Sequence, residues 1–306
     1  MTSPPAPSVT SSPSITVFAP AKINLILRIL DRRADGYHNL WSIMQTVAIQ
    51  DELRIRLSPD CQHIRLGCDS QTLAADHTNL VYKAAAAVLD RAGKTVGLEI
   101  ELKKRIPMGA GLGGGSSDAA ATIIGLNRLL GLGYSEQQLS EIGQFLGSDV
   151  SFFFHAPSAV VSGRGEVVKP IALDGLRWVV LINPGFGIET RWAYHELAAT
   201  RQSVRALSEN QEELNRRTQL DWTQLGSAAE NDFEDPVFAK HGALREIKRT
   251  LLTCGAEMAL LSGSGATVFG IFKDERDARR TQAHFHGDKQ LKTFAVPTCS
   301  HALTVQ

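Results

Sequence analysis

The chain has 306 residues, of which 43% are hydrophobic, and its 32 basic residues balance 32 acidic ones. This length predicts about two domains, and the charge balance argues against a nucleic acid partner bound by bulk charge. The cysteines form no CxxC pair, so we expect neither a disulfide framework nor a zinc cluster, and a reducing cytoplasm is favoured. No apolar run reaches the length of a membrane span, so no membrane partner is predicted.

The chain divides into three regions. Residues 1–14 are rich in Pro, Ser and Thr and carry no charged side chain, which predicts a disordered tail. We assign residues 15–170 to an N-terminal domain and residues 171–306 to a C-terminal domain. Strands and helices alternate without a regular βαβ period, so the prediction is an α+β fold rather than a doubly wound sheet.

The first predicted element is a strand, because KINLILRI alternates largely between apolar and polar side chains. Lys22 and Asn24 then share one face of that strand. Asp35 and Gly36 predict a turn. Further alternation predicts strands in residues 41–49 and 53–57.

A helix is predicted next, with Thr78 or Asn79 as its N-cap and Gly93 at its end. The alternating run GLEIELKK predicts a strand that Pro107 ends, after which a glycine-rich loop begins. The following helix is predicted from about Ser117 to Leu130.

The rest of the N-terminal domain carries three local signals. Ser135 and Gln138 have the spacing of a capping box, which predicts a helix that Gly147 ends. The run SDVSFFF predicts a strand that begins just past Asp149. The run AVVSGRGEVV predicts a hairpin.

In the C-terminal domain, RWVVLI predicts a buried strand and residues 201–220 predict a polar, partly helical segment. A single helix is predicted from Pro236 to about Thr253. The run AEMALLSGSGATVFGIF predicts a strand, a glycine turn and a second strand. A helix from near Asp274 and a last strand near residues 293–296 complete the prediction.

The glycine-rich loop is the clearest functional signal, since five of the seven residues 109–115 are glycine. Gly109, Gly111 and Gly114 match the dinucleotide-binding fingerprint. However, Pro107 interrupts the strand exit, and the nearest acid at the required distance, Glu136, lies in the first turn of a helix. The loop also lacks the Gly-Lys-Ser/Thr ending of a Walker loop.

The sequence therefore fits neither of these two motifs well, and instead shows a glycine-rich loop followed by Ser116, Ser117 and Asp118 at a helix start. Main-chain N–H groups and the positive end of the helix favour a phosphate there, and serine hydroxyls can donate to phosphate or hold magnesium. A dinucleotide-dependent oxidoreductase, a non-catalytic ATP sensor and a plain solvent loop with a serine cap are the alternatives.

Four segments of the sequence show a family resemblance. PMGAGLGGGSSDAA resembles the second motif of the GHMP kinases, which include galactokinase, homoserine kinase and mevalonate kinase. SGSGATVFGIF resembles their third motif, and GSDVSFFF fits the segment that carries their catalytic aspartate. APAKINLILRILDRRADGYHNLWSIMQTV closely resembles the N-terminal motif of one family among them, the kinases of 4-diphosphocytidyl-2-C-methyl-D-erythritol. The resemblance spans residues 15–296 in matching order.

The resemblance implies a two-domain GHMP kinase fold. Its N-terminal domain is like domain 2 of ribosomal protein S5, and its C-terminal domain is ferredoxin-like. It implies ATP-dependent phosphorylation of the 2-hydroxyl of that small cytidyl diphosphate substrate, in the non-mevalonate isoprenoid pathway. Mg2+ is an expected cofactor, although no glutamate ligand is identified, and the chain is expected to be a monomer or weak dimer. The alternative is another GHMP kinase, acting on mevalonate, homoserine or a sugar.

The resemblance also assigns residues. Asp149 corresponds to the catalytic base and Lys22 to its partner. The residues that correspond to ATP contacts are Asn79, Lys104, Pro107, Met108, Gly109, Ala110, Gly111, Leu112, Gly113, Gly114, Gly115, Ser116 and Ser117. The residues that correspond to substrate contacts are Asn24, Tyr37, His38, Thr190, Tyr194, Gly263 and Gly265.

The residue types suit these roles. A carboxylate such as Asp149 can take the proton of the attacking hydroxyl, and a nearby ammonium keeps it ionised. Two aromatic rings, Tyr37 and Tyr194, could hold a cytosine between them, while His38 bonds to its polar edge; such stacking contributes about 1–3 kcal/mol per base.

Overall fold

A computed structural model describes residues 12–34, 36–201 and 205–306. Within these ranges the chain forms sheets of seven, four and two strands and ten helices, so the predicted α+β class is confirmed. Residues 1–11 of the predicted tail and Asp35 of the predicted turn lie outside the described residues. None of the described helices combines the length and the apolar character needed to cross a bilayer.

The first sheet is built around a long antiparallel pair, β1 and β2, whose register shifts between Asn24 and Ile26. The strand order is β13-β1-β2-β4-β3, with β5 beside β2 and β6 beside β5. Its strands are β1 (Ser14–Arg32), β2 (His38–Ser58), β3 (Ile64–Cys68), β4 (Gly97–Lys103), β5 (Ser158–Gly163), β6 (Val167–Pro170) and β13 (Thr304–Val305). Because β13 pairs with β1, the C-terminal segment returns to the sheet of the predicted N-terminal domain.

Four helices accompany this sheet: α1 (Leu80–Ala92), α2 (Gly114–Leu129), α3 (Glu136–Gln144) and α4 (Phe152–His155). Three helix termini predicted from local chemistry are confirmed: both ends of α1 and the start of α3. The side chain of Asn79 caps α1 and Gly93 ends it, while Ser135 and Gln138 form the capping box of α3. α2 packs on β1 through fully buried small residues, which lets the glycine-rich loop at its start lie close to the sheet.

The second sheet has four antiparallel strands in the order β10-β11-β8-β12. They are β8 (Trp178–Asn183), β10 (Met258–Leu261), β11 (Val268–Phe272) and β12 (Lys292–Pro297). The remaining elements are α5 (Thr190–Thr200), α6 (Glu209–Arg216), α7 (Trp222–Ala228), α8 (Glu234–Lys240), α9 (Gly242–Thr253), α10 (Glu275–His284), β7 (Ala172–Leu173) and β9 (Gln219–Leu220).

The two large sheets share one apolar core. Val179 and Leu181 of β8 belong to the same buried cluster as Ile23 and Leu25 of β1. The alternate residue Val180 lies in the other core cluster, with residues of the helices. Burial of β8 on both faces explains why its sequence reads as a continuous apolar run.

Several predicted boundaries are wrong. The run SDVSFFF is not a strand, because its three phenylalanines lie in the short helix α4. All three are buried, and a short apolar run without polar residues does not distinguish the period of a helix from that of a strand. The strands predicted in residues 41–49 and 53–57 are one strand, β2. Helix α2 begins at Gly114, three residues before the predicted Ser117, and α3 ends at Gln144 rather than near Gly147.

The single helix predicted from Pro236 to Thr253 is two helices, α8 and α9. His241 separates them with non-helical angles, φ −121° and ψ 70°. Its ring stacks on Phe186 with centroids 5.0 Å apart and meets Trp192 edge-on. Tertiary packing of an aromatic ring therefore overrides the local helical pattern.

The glycine-rich loop is fixed against the turn between β10 and β11. Thr267 donates its N–H to the carbonyl of Ala110 at 3.2 Å, and the Ser262 hydroxyl donates to the carbonyl of Gly111 at 3.0 Å. A Cβ on Gly265 would lie 2.1 Å from the nitrogen of Gly111, and one on Gly111 would lie 1.9 Å from the carbonyl oxygen of Ser262. The two backbones thus pack closer than any side chain would allow.

We predict that Gly265→Ala lowers the free energy of unfolding by at least about 1–3 kcal/mol, because its Cβ meets main-chain atoms that cannot rotate away. Urea unfolding measures the change. Gly226→Ala is the matched control: no heavy atom of the described residues lies within 4 Å of its Cβ position in α7, so we expect unchanged or slightly higher stability. Equal stability of both variants would show that the close contact is not required.

Candidate active site

Two cavities meet at the glycine-rich loop. The loop cavity, of about 340 Å³, is lined by Leu73, Asn79, Leu80, Lys104, Ile106, Pro107, Met108, Gly109, Ala110, Gly111, Leu112, Gly113, Gly114, Gly115, Ser116 and Asp118. The cleft cavity, of about 670 Å³, is lined by Lys22, Asn24, Leu27, Gly36, Tyr37, His38, Leu40, Met44, Gly111, Gly113, Ser148, Asp149, Arg164, Thr190, Arg191, Tyr194, Phe233, Gly263 and Ser264. Gly111 and Gly113 line both, so the two cavities share this wall.

The loop cavity collects the residues predicted to contact ATP, except Ser117. The Ser117 hydroxyl is buried inside α2, where it has no hydrogen-bond partner among the described residues. Gly113, with φ at 69°, precedes the helix and provides no side-chain cap. The first N–H groups of α2 are therefore available to an anion at the positive end of a 16-residue helix.

The shared wall carries a lysine–aspartate pair. Lys22, whose side chain is 4% exposed, places its Nζ 3.2 Å from Asp149 Oδ2. Its Nζ also donates to Asn24 Oδ1 at 2.7 Å, which confirms that Lys22 and Asn24 share one face of β1. The Lys22 main-chain N–H donates to the carbonyl of Leu112 at 2.9 Å, so the strand and the loop are joined next to the pair.

The amide of Asn24 is fixed by further hydrogen bonds. It donates to the Ser42 hydroxyl at 2.9 Å, and that hydroxyl donates to the carbonyl of Ile26 at 2.6 Å. The oxygen of the amide therefore faces Lys22. Asp149 lies in a turn before α4, and its carboxylate is held there by the pairing with Lys22.

Aromatic rings line the opposite side of the cleft cavity. Tyr194 of α5 stacks on His38 with ring centroids 5.1 Å apart, and Phe233 meets it edge-on at 4.9 Å. Tyr37 is 58% exposed, with the Arg164 guanidinium 5.0 Å from its ring centroid. Both predicted tyrosines thus reach the cleft, but no local pattern in the chain indicated that His38 lies against Tyr194.

The surroundings of Tyr194 and His38 favour the uncharged form of each side chain. Burial, together with the charge of Asp149, raises the pKa of Tyr194 to about 12, so its phenol stays neutral. Burial lowers the pKa of His38, and the charges of Arg32 and Arg201 lower it further. A neutral imidazole can both donate and accept a hydrogen bond.

Sequence reasoning missed two cations in the cleft, Arg164 and Arg191. With Lys22 they give three cationic side chains against the single carboxylate of Asp149, a balance that favours an anionic ligand. Arg164 occupies the turn of the predicted hairpin, and Arg191 directly follows the predicted Thr190. A search for basic residues beside predicted site positions would have identified Arg191, but not Arg164, which has no predicted site residue near it in the chain.

The remaining predicted contacts are placed as follows. Thr190 begins α5, and its hydroxyl accepts a hydrogen bond from the Ser264 hydroxyl at 3.0 Å. Gly263 lines the cleft cavity. Gly265 lines neither cavity and packs against the loop backbone. This packing explains why the position has no side chain, in place of the predicted approach to substrate phosphates.

Lys104 lies at the base of the loop cavity in a buried charge cluster. It pairs with the carboxylates of Asp51 and Asp118, the latter at 2.6 Å. Asp51 also accepts the N–H groups of Arg105 and Ile106. The sequence analysis placed Lys104 at the adenine but did not predict its two acidic partners, which lie far apart in the chain.

Asp118 is an acid of this cluster whose charged form is disfavoured. Burial raises its pKa to about 7, and the neighbouring Asp51 adds to this effect while Lys104 opposes it. Its Oδ1 has no hydrogen-bond partner among the described residues. No group of three or more His, Cys, Asp and Glu side chains that could hold a metal ion occurs in the described part of the chain.

We predict that Asp118→Asn weakens the pH dependence of stability. The folded protein keeps a proton on Asp118 that the unfolded chain releases above its ordinary pKa of 3.8, so stability falls as pH rises toward about 7. Urea unfolding at about pH 5 and about pH 7.5 should show a smaller decline in the variant. The same decline in both proteins would show that Asp118 does not titrate in this range.

Comparisons with known proteins agree with this architecture. Residues 79–156 match the GHMP kinases N terminal domain, and residues 206–287 match the GHMP kinases C terminal family. The 4-diphosphocytidyl-2-C-methyl-D-erythritol kinase of Geobacter sp. (strain M21) is 39% identical over 284 residues, which cover 93% of this chain and 99% of that protein. The enzyme of that name from Geobacter metallireducens is 41% identical over 266 residues, 87% of this chain and 92% of that protein.

Solved structures give the same result. A crystal structure of 4-(cytidine 5'-diphospho)-2C-methyl-D-erythritol kinase matches with a TM-score of 0.74 and 31% identity, covering 92% of this chain and 98% of that one. Homoserine kinase from Cytophaga hutchinsonii matches with a TM-score of 0.76 at 20% identity, over 99% and 100% of the two chains, which shows the shared fold. The predicted GHMP kinase fold is confirmed, and the chain belongs to the 4-diphosphocytidyl-2-C-methyl-D-erythritol kinase family of the GHMP kinases.

Proposed function

We propose that the protein transfers the γ-phosphoryl group of ATP to the 2-hydroxyl of 4-diphosphocytidyl-2-C-methyl-D-erythritol, a step of the non-mevalonate isoprenoid pathway. The observation that supports it most is the shared wall of the two cavities. A triphosphate in the loop cavity would end at Gly111 and Gly113, and an alcohol in the cleft cavity would face the same two residues. Lys22 and Asp149 lie beside that wall.

The chemistry assigned to the pair follows from its charges. Asp149 accepts the proton of the attacking hydroxyl, and the Lys22 ammonium, 3.2 Å from its Oδ2, holds the carboxylate beside the shared wall. Lys22 lies against the loop, since a Cβ on Gly113 would be 2.8 Å from its Cγ. Its charge can therefore also stabilise the negative charge that develops on the transferred phosphoryl oxygens.

The cleft fits the two ends of a cytidyl diphosphate. Arg164, Arg191 and Lys22 supply positive charge for the diphosphate. Tyr194 offers a partly buried aromatic face, and Tyr37 a more exposed one, to a planar base. His38 stacks on Tyr194, so its imidazole lies beside that aromatic face and can donate or accept a hydrogen bond at the polar edge of a base.

Magnesium is expected as the companion of ATP. The Ser116 hydroxyl lines the loop cavity and is a possible donor, whereas Asp118 is buried and paired with Lys104. Mg2+ commonly takes one or two protein oxygens, with phosphate oxygens and water completing its shell, so the hydroxyl fits it without a dedicated cage. When bound, the ion neutralises charge on the triphosphate.

A kinase for mevalonate, homoserine or a sugar is the second candidate, because the fold is common to all of them. Those substrates lack a planar base and a diphosphate, so they would not contact the aromatic side chains and the two arginines of the cleft cavity in the way that a cytidyl diphosphate could. We also propose a cytoplasmic location and a monomer or weak dimer.

The test of the function is ADP formation with the cytidyl diphosphate alcohol, mevalonate, homoserine and galactose as separate substrates. We expect turnover with the first, and a loss of about 10²–10⁴ in kcat for Asp149→Asn, the scale of a missing general base. Asp90→Asn, which changes an exposed acid on α1 outside both cavities, is the control and should keep its kcat. Preference for another alcohol, or normal turnover by Asp149→Asn, would contradict the proposal.

Tyr194 tests the cytidine end of the cleft. We expect Tyr194→Leu to raise the KM for the cytidyl substrate about tenfold or more, since stacking on a base contributes about 1–3 kcal/mol. The KM for ATP should stay constant, and Tyr194→Phe should be tolerated. Tyr134→Leu, outside both cavities, serves as the control. An unchanged KM in Tyr194→Leu would place the base elsewhere.

A further inference from the structure

The segment of residues 230–233, here the bridging segment, runs along the cleft cavity, whose wall includes its last residue, Phe233. It joins α7 to α8 and contacts three parts of that wall: strand β1, the turn after β10, and Tyr194 of α5. Its Asn231 is a buried polar residue, 4% exposed, for which the kinase mechanism so far gives no role.

The side chain of Asn231 uses both of its amide hydrogens and its oxygen. Its Nδ2 donates to the carbonyls of Leu261 at 2.7 Å and Gly263 at 2.8 Å. Its Oδ1 accepts the main-chain N–H of Phe233 at 2.9 Å. The carbonyls flank Ser262 at the start of the glycine turn, so one amide group fixes this turn relative to the bridging segment.

The bridging segment is also bound to β1. Leu27 donates its N–H to the carbonyl of Glu230 at 2.8 Å, and Asp232 donates its N–H to the carbonyl of Leu27 at 3.0 Å. The Asp232 carboxylate accepts the N–H of Ile29 at 2.6 Å. β1 carries Lys22 a few residues earlier, so the bridging segment has a fixed position relative to the catalytic pair.

The third contact is aromatic. Phe233, whose N–H is held by Asn231, meets the ring of Tyr194 edge-on at 4.9 Å and lines the cleft cavity. A shift of this ring moves the surface that Tyr194 offers to a base. Asn231 is therefore connected to the turn at Gly263 and to the aromatic wall by direct hydrogen bonds.

We infer that Asn231 is a positioning residue for the cytidyl substrate: it holds the Gly263 turn and Phe233 at a fixed spacing, and so sets the width of the cleft between β1 and α5. This inference rests on the proposed function. It predicts a larger effect on substrate binding and on the alignment of the reacting hydroxyl than on ATP, because the hydrogen bonds of the Asn231 side chain to the described residues reach none that line the loop cavity, and the turn meets that cavity only through its backbone contact with Gly111.

Asn231→Asp tests it with minimal change in shape. The carboxylate would place an oxygen against the carbonyls of Leu261 and Gly263, and neither can donate a hydrogen bond to it. We expect the KM for the cytidyl substrate to rise, and kcat to fall, by about tenfold or more each, with the KM for ATP changed less than about twofold. If Asn231→Asp does not fold, Asn231→Ser, which is uncharged and smaller, is tested in its place.

Asn127→Asp is the matched control. Asn127 also donates to a main-chain carbonyl and accepts a main-chain N–H, both of Tyr134, and it lies outside both cavities. Thermal unfolding of both variants measures the general cost of such a change. Steady-state kinetics with both substrates varied then separates positioning from stability.

A selective rise in KM for the cytidyl substrate in the Asn231 variant, absent from the control, supports the inference. Unchanged kinetics in a folded Asn231 variant, or equal losses for ATP and the cytidyl substrate, would overturn it while leaving the kinase activity of the wild type established. A wild-type protein that does not phosphorylate the cytidyl substrate would instead overturn the proposed function, and this inference with it.

Discussion

The contact on which the site depends is the close packing of two backbones, the loop at Ala110–Gly111 and the turn at Ser262–Gly265. No side chain separates them, since a Cβ on either Gly111 or Gly265 would overlap main-chain atoms. Hydrogen bonds then fix their register. Because the loop forms the wall of one cavity and the turn lines the other, this contact determines where a phosphate and an alcohol could meet.

The charges around that contact divide into two kinds. Lys22 and Asp149 are in a site open to a ligand, where each can exchange its partner during a reaction. Lys104 is enclosed between Asp51 and Asp118, and a buried cluster of this kind is costly to disturb once formed. We interpret the first as chemical and the second as a rigid base for the loop above it.

The sequence predicted what depends on neighbours in the chain. Caps at Asn79 and Ser135 follow from local hydrogen bonding, and the shared face of Lys22 and Asn24 follows from the period of a strand. It did not predict what depends on distant packing, such as the helix break at His241 or the acids around Lys104. The catalytic residues came from motif resemblance, and their assignment stays a prediction.

The return of β13 to the first sheet has a consequence for folding. Thr304 and Val305 pair with Phe18 and Val17 on the outer edge of β1, so this stretch of the edge is covered only by residues that are synthesised long after β1. Until then β1 presents unpaired N–H and C=O groups, the kind of edge on which strands of other molecules can assemble. Nascent or truncated chains lacking β13 should therefore be more dependent on chaperones than the finished protein.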